Sequence, residues 1–386
     1  MAILPHSLLP GPEAQAHSDR LRATIDEAIR EAGGWIDFAR FMSLALYAPG
    51  LGYYSAGAVK LGAAGDFVTA PEMTPLFART LARPVAETLR ALQGQEPEVL
   101  ELGAGTGRLA GDLLTALAER NALPTRYRIL EVSPDLRARQ EATLSTLPGA
   151  LRARVEWCER WPEAICGALV ANEVLDALPV HRVGWRGEAG WVEIGVALGN
   201  GQWVLRERPL GNPRLSERLP DPAGWPVPYD TEISLAANDL VATVGQTLRA
   251  GRAWFIDYGF PAREYYHPQR AGGTLMCHIR HHAHPDPLVF PGLQDITAHV
   301  DFTAVAQAAL GAGLAVEAYG SMASWLIAEG IVDELGRLSP DEPARYLPAA
   351  SAVHRLLSPA EMGELFKVLV LRPATAPASL PASLAG

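Results

Sequence analysis

The sequence has few cysteines, a shortage of positive charge and no long apolar run, and each shortage argues against a class of protein. Its three cysteines, Cys158, Cys166 and Cys277, are scattered and show no metal-type pairing, which favours a reducing compartment over a disulfide framework. No apolar stretch approaches the length of a membrane span, and residues 1–12 lack the basic and apolar segments of a signal peptide. We therefore expect a cytoplasmic protein without a membrane span.

The charge balance argues against nucleic acid as a partner. The 33 Lys and Arg residues are outnumbered by 43 Asp and Glu residues, which gives a formal net charge of −10. Nonspecific nucleic-acid binders usually need a basic field that displaces counterions. The hydrophobic fraction of 48% in 386 residues is that of an ordinary globular protein, with room for one large domain or two lobes.

The most informative stretch is a strand that runs into a glycine turn. Residues 99–102 are apolar apart from Glu101, and Gly103, Gly105 and Gly107 follow at alternate positions. A helix should begin at Arg108, because leucines recur on one stripe after it. Such a loop lets a ligand lie against bare main chain near the amide groups of a helix N-terminus.

The spacing of the glycines distinguishes two kinds of nucleotide ligand. A dinucleotide fingerprint needs glycine at the first, third and sixth positions, and here the sixth position is Arg108. Glycine at the first, third and fifth positions behind Glu101 resembles motif I of class I S-adenosylmethionine methyltransferases. That resemblance implies S-adenosylmethionine as the cofactor. A turn that only packs a helix against a sheet is the alternative.

Two further strands end in residues that suit a nucleoside. The strand over residues 127–132 carries Glu131 at its end, where an acid can accept hydrogen bonds from both ribose hydroxyls. Ser133 follows at the start of the next helix. The strand over residues 153–157 ends at Trp157, an indole that either stacks on a base or fills the core.

Polar residues also follow the strand over residues 168–171. Asn172, Glu173 and Asp176 come directly after it, and ligands of open α/β sheets bind at the carboxyl ends of parallel strands. The alternative is that Asn172 caps a helix with Glu173 in its first turn.

The segment over residues 65–77 is a candidate lid. It begins at Gly65, and Thr69, Pro71 and Glu72 fit the beginning of a helix. A capping box alone would explain Thr69 and Glu72, so the sequence leaves open whether the segment folds over a cofactor.

The remaining sequence predicts how the chain is divided. We expect an N-terminal helical region with the lid segment (1–94), a core (95–372) and a disordered tail rich in Ala, Pro and Ser (373–386). Strand-like alternation predicts an inserted β-hairpin region at about 181–234, and a loop insertion spans about 261–300. The loop contains several histidines but no recognised ligand framework, so we predict no metal site.

Short blocks along the chain resemble a known family. They run in family order from about Leu44 to Leu371, and together they are typical of the MidA family. The blocks are residues 44–47, 52–54, 65–72, 101–103, 171–173, 177–180, 256–259, 286–288 and 295–302.

The resemblance implies an α/β fold, the doubly wound seven-stranded sheet of class I methyltransferases, whose last strand is antiparallel. It also implies S-adenosylmethionine as methyl donor, and protein arginine methylation by the mitochondrial members, which help to assemble respiratory complex I. The expected partner is therefore a protein substrate, a respiratory complex subunit being one candidate. Oligomeric state stays open, and a homodimer is one option.

Carried onto this chain, the cofactor loop of the family is Gly103, Gly105 and Gly107, and its ribose-binding acid is Glu131. Ala104 stands where many relatives have proline, and Thr106 where they have arginine or lysine, which leaves the glycines in place. The complete set of predicted cofactor-binding residues is Thr69, Pro71, Glu72, Glu101, Gly103, Gly105, Gly107, Glu131, Ser133, Trp157 and Asn172.

Glu173 and Asp176 are the predicted catalytic residues. Paired carboxylates could hold an arginine guanidinium through charge-assisted hydrogen bonds and help to handle the proton that the reaction releases. Two other functions compete with this prediction. A non-catalytic assembly factor would keep the fold and bind a partner, and a nicotinamide oxidoreductase is disfavoured by the absent sixth-position glycine.

Overall fold

The computed structural model describes residues 9–56, 68–376 and 378–384. Within those residues the α-helices are α1 (Pro12–Glu31), α2 (Phe38–Tyr47), α3 (Ala70–Met73), α4 (Pro75–Ala91), α5 (Arg108–Glu119), α6 (Pro134–Leu144), α7 (Gly149–Arg152), α8 (Pro213–Ser216), α9 (Leu235–Thr247), α10 (Ala262–Tyr265), α11 (Phe302–Gly311), α12 (Met322–Ala328), α13 (Ile331–Gly336) and α14 (Pro343–Leu357). The strands are β1 (Trp35–Asp37), β2 (Glu98–Leu102), β3 (Tyr127–Leu130), β4 (Val155–Cys158), β5 (Ile165–Asn172), β6 (His181–Trp185), β7 (Trp191–Gly199), β8 (Gln202–Pro209), β9 (Tyr229–Ile233), β10 (Leu248–Phe260), β11 (Met276–Ile279), β12 (His282–His284), β13 (Asp295–Thr297), β14 (Val300–Asp301), β15 (Leu314–Ser321) and β16 (Phe366–Pro373).

The main sheet has the strand order β15-β16-β10-β5-β2-β3-β4, and β14 adds a short pairing at the end of β10. The strands from β10 to β4 pair in parallel, whereas β16 runs antiparallel to both β10 and β15. The strand order reverses at β2, which is the topological switch point of a doubly wound sheet. The predicted sheet with an antiparallel last strand is confirmed.

Helices cover both faces of this sheet because its central strands are apolar on both faces. All five residues of β2 are buried, as are six of the eight residues of β5. On one face α4 and α5 pack their leucines against β2 and β3, and on the other face α9 and α11 pack against β5 and β10. A parallel sheet covered in this way holds its strand ends rigidly, and those ends position the site.

A second lobe forms around a smaller sheet that combines distant parts of the chain. β1 pairs with β7, which also pairs with β6 and β8, and β9 pairs with β6. One apolar cluster joins α1 and α2 to this sheet and to the short sheet of β11, β12 and β13. The insertion at 181–234 is therefore a structural partner of the N-terminal helices.

The structure corrects the predicted division of the chain in two places. α4 belongs to the core, since Phe77, Leu81 and Val85 pack in the same cluster as the main sheet. The predicted disordered tail is also wrong for the described part, because the side chain of Leu384 is fully buried against the sheet and the Thr303 hydroxyl donates to its carbonyl oxygen. The tail also contains Leu380 and Leu384, and both side chains pack against the apolar cluster on one face of the main sheet.

The insertion at 261–300 is more ordered than its composition suggested. Residues 276–284 form the hairpin of β11 and β12, and β13 pairs with β11 on the other side. Among the described residues no group of three His, Cys, Asp or Glu side chains is arranged to hold a metal ion. No described helix combines the length and the apolar character that crossing a membrane requires.

The packing of α5 against the sheet gives a stability prediction. The Leu113 side chain is fully buried between α5 and the sheet, so Leu113→Ala should lower the free energy of unfolding by about 2–5 kcal/mol through lost burial and a residual cavity. Chemical denaturation monitored by tryptophan fluorescence measures the change. Leu347→Ala, on an exposed side chain of α14, is the control and should change it by about 0.5 kcal/mol or less. Equal losses in both variants would contradict the assigned core.

Candidate active site

A cavity of about 370 Å³ opens at the carboxyl edge of β2, β3 and β5, at the switch point of the sheet. This volume lies in the range of small-molecule and cofactor sites. Most of the residues predicted from the sequence line it. They are Thr69, Pro71, Glu72, Glu101, Gly103, Gly105, Glu131, Ser133, Asn172 and Glu173. Gly107, Trp157 and Asp176 do not line the cavity.

The glycine loop needs glycine because of its backbone conformation. Gly103, Gly105 and Gly107 have φ angles of +61°, +53° and +84°, in the left-handed region that other residues rarely adopt. A Cβ on Gly103 would also lie 3.0 Å from the Cγ2 of Val174. Gly107 is the residue that precedes α5, and its close neighbour is Gln140 of α6, so it serves the turn and the packing of the two helices.

Glu101 forms the floor of the cavity within β2. Its carboxyl is buried, and the Tyr127 hydroxyl donates to its Oε2 at 2.6 Å. Burial raises the pKa of Glu101 to about 7, against the opposing effect of that hydrogen bond. The Glu101 carboxyl is therefore held in one orientation by a neighbour on the adjacent strand.

Glu131 lies at the end of β3, where the sequence predicted a ribose-binding acid. Its Oε1 accepts the backbone N–H of Ser133 at 2.8 Å, and its Oε2 accepts from the side-chain amide of Gln140 at 2.9 Å. Burial raises the pKa of the Glu131 carboxyl, and these donors oppose the rise. The Ser133 hydroxyl caps α6 by accepting from Leu136, so Ser133 contributes mainly through its backbone.

Gln140 is a site residue that sequence reasoning missed. Its amide nitrogen donates both to Glu131 and to the carbonyl oxygen of Gly105 at 3.1 Å, and its amide oxygen accepts from the Trp157 indole at 2.9 Å. Trp157 does not line the cavity, and its N–H holds Gln140, so a direct contact of Trp157 with the cofactor stays a prediction. A signal existed in the sequence, because Gln140 lies four residues from both Leu136 and Leu144, on a helix face where an apolar residue would be ordinary.

The lid segment contacts the glycine loop directly. The Thr106 hydroxyl donates to the Glu72 carboxylate, which ties α3 to the turn after β2. Thr69 precedes α3, but its side chain makes no capping hydrogen bond, so the capping-box explanation is wrong. Gly65 and Phe67, at the start of the predicted lid, lie outside the described residues.

Glu173 follows β5 in an unusual backbone conformation. Its φ angle is +53°, and its backbone N–H donates to the carbonyl oxygen of Ile256 at 2.8 Å. The Asn172 amide donates to its Oε1 at 3.1 Å, and the backbone N–H of Ala70 in the lid also donates to the carboxyl. Burial and the nearby Asp176 raise the pKa of Glu173 to about 8.

Asp176 lies behind Glu173 and does not open into the cavity. It is buried, and its Oδ2 accepts from the Tyr258 hydroxyl at 2.6 Å. Burial raises the pKa of Asp176 to about 6, although the Tyr258 hydrogen bond opposes the rise. The two predicted catalytic carboxyls are thus neighbours in space, but only Glu173 lines the cavity.

A buried aspartate fixes the turn that carries both carboxyls. Asp257 of β10 accepts the backbone N–H groups of Val174, Leu175 and Asp176 on one oxygen, at 3.1, 2.8 and 3.2 Å. This role was missed because the partners lie about 80 positions apart in the sequence. Its only local signal was an acid directly after the apolar residues 253–256.

Two tyrosines of the second lobe complete the cavity. Tyr47 and Tyr54 line it with their rings stacked at 5.5 Å between centroids. The Tyr47 hydroxyl donates to the carbonyl oxygen of Ala177 at 2.8 Å, and that of Tyr54 donates to Asp295 at 2.9 Å. Both rings pack against the apolar cluster of the second lobe, and the Tyr47 hydrogen bond connects that lobe to the turn after β5.

The chain matches known proteins over most of its length. A family model described as "Putative S-adenosyl-L-methionine-dependent methyltransferase" matches residues 80–320. The crystal structure of a Burkholderia thailandensis protein bound to S-adenosyl-homocysteine is 49% identical, with a TM-score of 0.91 over 97% of this chain and 96% of that chain.

Curated relatives are more distant in sequence. Protein arginine methyltransferase NDUFAF7, mitochondrial, from Danio rerio is 28% identical over 87% of this chain and 83% of its own length. The Homo sapiens protein of the same name is 26% identical over 88% of this chain and 80% of its own length. These similarities extend through both lobes of the structure.

The Gln140 contacts give a prediction about ligand binding. Gln140→Leu removes the amide that joins Glu131 to the glycine loop and leaves their oxygens without that donor. We expect the dissociation constant for S-adenosyl-homocysteine, measured by calorimetry, to rise about tenfold, since an unsatisfied buried polar group costs about 1–3 kcal/mol. Gln269→Leu, on an exposed side chain, is the matched control. Unchanged affinity in Gln140→Leu would contradict the positioning role.

Proposed function

Because the chain belongs to this family of S-adenosyl-L-methionine-dependent methyltransferases, we propose that it transfers the methyl group of its donor to an arginine side chain of a protein. The observation that carries the choice of acceptor is the position of Glu173. A carboxyl that lines the donor cavity at the end of β5 is suited to a cationic acceptor. The printed names of the mitochondrial relatives, which are protein arginine methyltransferases, support the same acceptor.

The residues present fit S-adenosylmethionine. The left-handed glycine turn leaves room at Gly103 and Gly105, and Glu131 presents a buried carboxylate at the strand end where ribose hydroxyls bind in such folds. Glu101 and the backbone of the glycine loop would contact the rest of the donor. The donor supplies an electrophilic methyl group on a sulfonium. No phosphate is involved, which agrees with a loop that lacks the dinucleotide spacing.

Glu173 is proposed to bind and orient the acceptor. Asn172 and the Ala70 N–H hold its carboxyl, so that a guanidinium can form charge-assisted hydrogen bonds without reorganising the site. Hydrogen bonds to two guanidinium nitrogens would localise electron density on the third, which attacks the methyl carbon. Methyl transfer to the guanidinium releases one proton, and the Glu173 carboxylate can accept it from a guanidinium nitrogen to which it is hydrogen-bonded.

Asp176 is proposed to act through Glu173 and the turn. Asp176 does not line the cavity, so it would not contact the acceptor. Its negative charge nevertheless raises the pKa of Glu173. Tyr258 holds it in place through the 2.6 Å hydrogen bond. Asp176 is therefore a positioning residue, which refines the sequence prediction that it is catalytic.

A non-catalytic assembly factor with the same fold remains the second function to test. The closing contact of Thr106 with Glu72 would also suit a protein that uses the ligand to order a binding surface. A methyl mark that is missing from the proteome of cells without the protein, and is restored by the wild type but not by Glu173→Gln, favours the enzyme. Restoration of every phenotype by the inactive variant favours the assembly factor.

Glu173→Gln tests the acceptor role. The amide keeps the size of the side chain but loses the charge that holds a guanidinium, so we expect at least a hundredfold loss of kcat with the dissociation constant for S-adenosyl-homocysteine changed less than about threefold. Methylation of a cell-lysate proteome with labelled donor supplies the rate, and calorimetry the affinity. The control is Glu163→Gln, an exposed glutamate that lies shortly before β5 in the sequence. Normal turnover by Glu173→Gln would rule out the assignment.

The raised pKa of Glu173 predicts a pH dependence. Because only the ionised carboxylate can hold the guanidinium, kcat/KM should rise with pH through about 8, as the free enzyme loses the Glu173 proton. Asp176→Asn removes a neighbouring negative charge, so it should lower the pKa of Glu173 and move this rise to lower pH. A profile that is flat between pH 7 and 9, or a shift to higher pH in Asp176→Asn, would be incompatible with the proposed role.

A further inference from the structure

The one-turn helix α3 contacts both the donor side and the acceptor side of the cavity. At its first residue, the Ala70 N–H donates to the Glu173 carboxyl. At its third residue, the Glu72 carboxylate accepts from the Thr106 hydroxyl of the glycine loop. A single turn of backbone therefore separates the residue that holds the proposed acceptor carboxyl from the residue that is bonded to the donor loop.

The helix α3 depends on its surroundings for its structure. Four residues are far fewer than a helix needs to be stable alone. Ala70 is fully buried in the core cluster, and Met73 packs against that cluster. Such apolar packing is non-directional, so it does not by itself aim the Ala70 N–H at the Glu173 carboxyl. Glu72 is the only residue of α3 with a charged side chain, and its hydrogen bond with Thr106 is directional.

Thr106 is a firmly held partner for Glu72. Gly105 and Gly107, on either side of Thr106, have left-handed φ angles of +53° and +84°, and the Gly107 N–H donates to the carbonyl oxygen of Ala104 at 2.7 Å. This tight turn fixes the position from which the Thr106 hydroxyl donates. Thr106 and Glu72 both line the donor cavity, so a donor that fills the cavity contacts both ends of their hydrogen bond.

The hydrogen bond from Ala70 matters because acids surround the Glu173 carboxyl. The acids that disfavour its ionised form, from the same turn, from β10 and from β13, are Asp176, Asp257 and Asp295. Among the described residues, the groups that donate to the carboxyl and oppose this effect are the Asn172 side-chain amide and the Ala70 N–H. The position of α3 therefore affects both the orientation and the ionisation of Glu173.

We propose that Thr106 positions the Glu173 carboxyl through Glu72 and α3, so that a donor bound at the glycine loop prepares the acceptor side of the cavity. Thr106 is a positioning residue in this arrangement, since its hydroxyl is bonded to Glu72 and it acts on Glu173 through α3. The proposal goes beyond the proposed function because it couples two parts of the site, whichever acceptor is used. Only the kinetic part of its test rests on the proposed function.

Hydrogen exchange of the Ala70 amide tests the coupling without any acceptor. NMR on protein labelled at alanine follows this amide in the free protein and in protein saturated with S-adenosyl-homocysteine. We expect the ligand to slow the exchange of the wild-type amide at least about tenfold, because it stabilises α3 in its hydrogen-bonded position. In Thr106→Val, which keeps the size of the side chain and removes the hydroxyl, the slowing should fall below about threefold at the same saturation. Thr106→Ser, which restores the hydroxyl, should recover the slowing.

Two further variants separate the coupling from a general loss of structure. Thr115→Val is the matched control, since the Thr115 hydroxyl donates to the carbonyl oxygen of Gly111 within α5 and Thr115 does not line the donor cavity. It should leave the slowing unchanged. Glu72→Leu removes the other partner of the hydrogen bond and should reduce the slowing as Thr106→Val does, with no further reduction in the double variant.

The results that would overturn the proposal are specific. They are exchange of the Ala70 amide that S-adenosyl-homocysteine does not slow in the wild type, equal slowing in the wild type and Thr106→Val, and additive losses in the double variant with Glu72→Leu. Each of these would show that α3 is held independently of the donor loop, and none of them would bear on the identity of the acceptor.

The pH dependence of kcat/KM tests the effect on Glu173, and this part rests on the proposed function. A weaker hydrogen bond from Ala70 raises the pKa of the Glu173 carboxyl, so the rise of kcat/KM should move to higher pH by about one unit in Thr106→Val and return in Thr106→Ser. A variant that only loses donor affinity would keep the rise at the wild-type pH, which would overturn the positioning role. A wild-type profile without any rise would contradict the proposed role of Glu173, and the exchange of the Ala70 amide would then decide the coupling alone.

Discussion

The carboxylate of Asp257 is the constraint on which the geometry of the site depends. One of its oxygens accepts the backbone N–H groups of Val174, Leu175 and Asp176, and each of these would cost about 1–3 kcal/mol if it were buried without a partner. The turn after β5 can therefore close only in the shape that points those groups at Asp257. That shape places Glu173 in a left-handed conformation, which costs roughly 1 kcal/mol or more for a residue with a Cβ.

The same turn connects the two lobes. Its carbonyl at Ala177 accepts from Tyr47 of α2, and its N–H at Glu173 donates to β10. The lid reaches it as well, since the Ala70 N–H donates to the Glu173 carboxyl while Glu72 holds Thr106 on the glycine loop. A displacement of the lid would thus change both the donor side and the acceptor side. The second lobe supplies the wall that separates the cavity from solvent at this edge.

Local sequence patterns were sufficient to predict those parts of the site that a single chain segment forms. The glycine turn could be predicted because only glycine readily adopts left-handed φ angles. The place of Glu131 could be predicted because it directly follows a strand. The hydrogen bond between Trp157 and Gln140 could not be predicted, because it depends on how α6 packs on the sheet. The roles of Asp257 and of Tyr47 depend on contacts between residues that are 80 to 130 positions apart. The apolar periodicity of a helix or strand indicates which of its faces is buried, but it does not indicate which residues pack against that face.

The buried carboxyls of the cavity bear on the cationic acceptor that we propose. Burial raises the pKa of Glu101, Glu131, Glu173 and Asp176, so each carboxylate is less stable here than in water. Asn172, Gln140 and Tyr258 offset part of this cost with hydrogen bonds, yet the described residues that line the cavity include only one arginine, Arg108, which pairs with Asp112. A hydroxyl or a neutral amide acceptor would leave the negative charge in place. A guanidinium would neutralise it, and the strength of that interaction would grow as water is excluded. The stability that this chain forgoes by burying carboxylates would be recovered in part by the cationic sulfonium donor, and the proposed arginine acceptor would recover more of it.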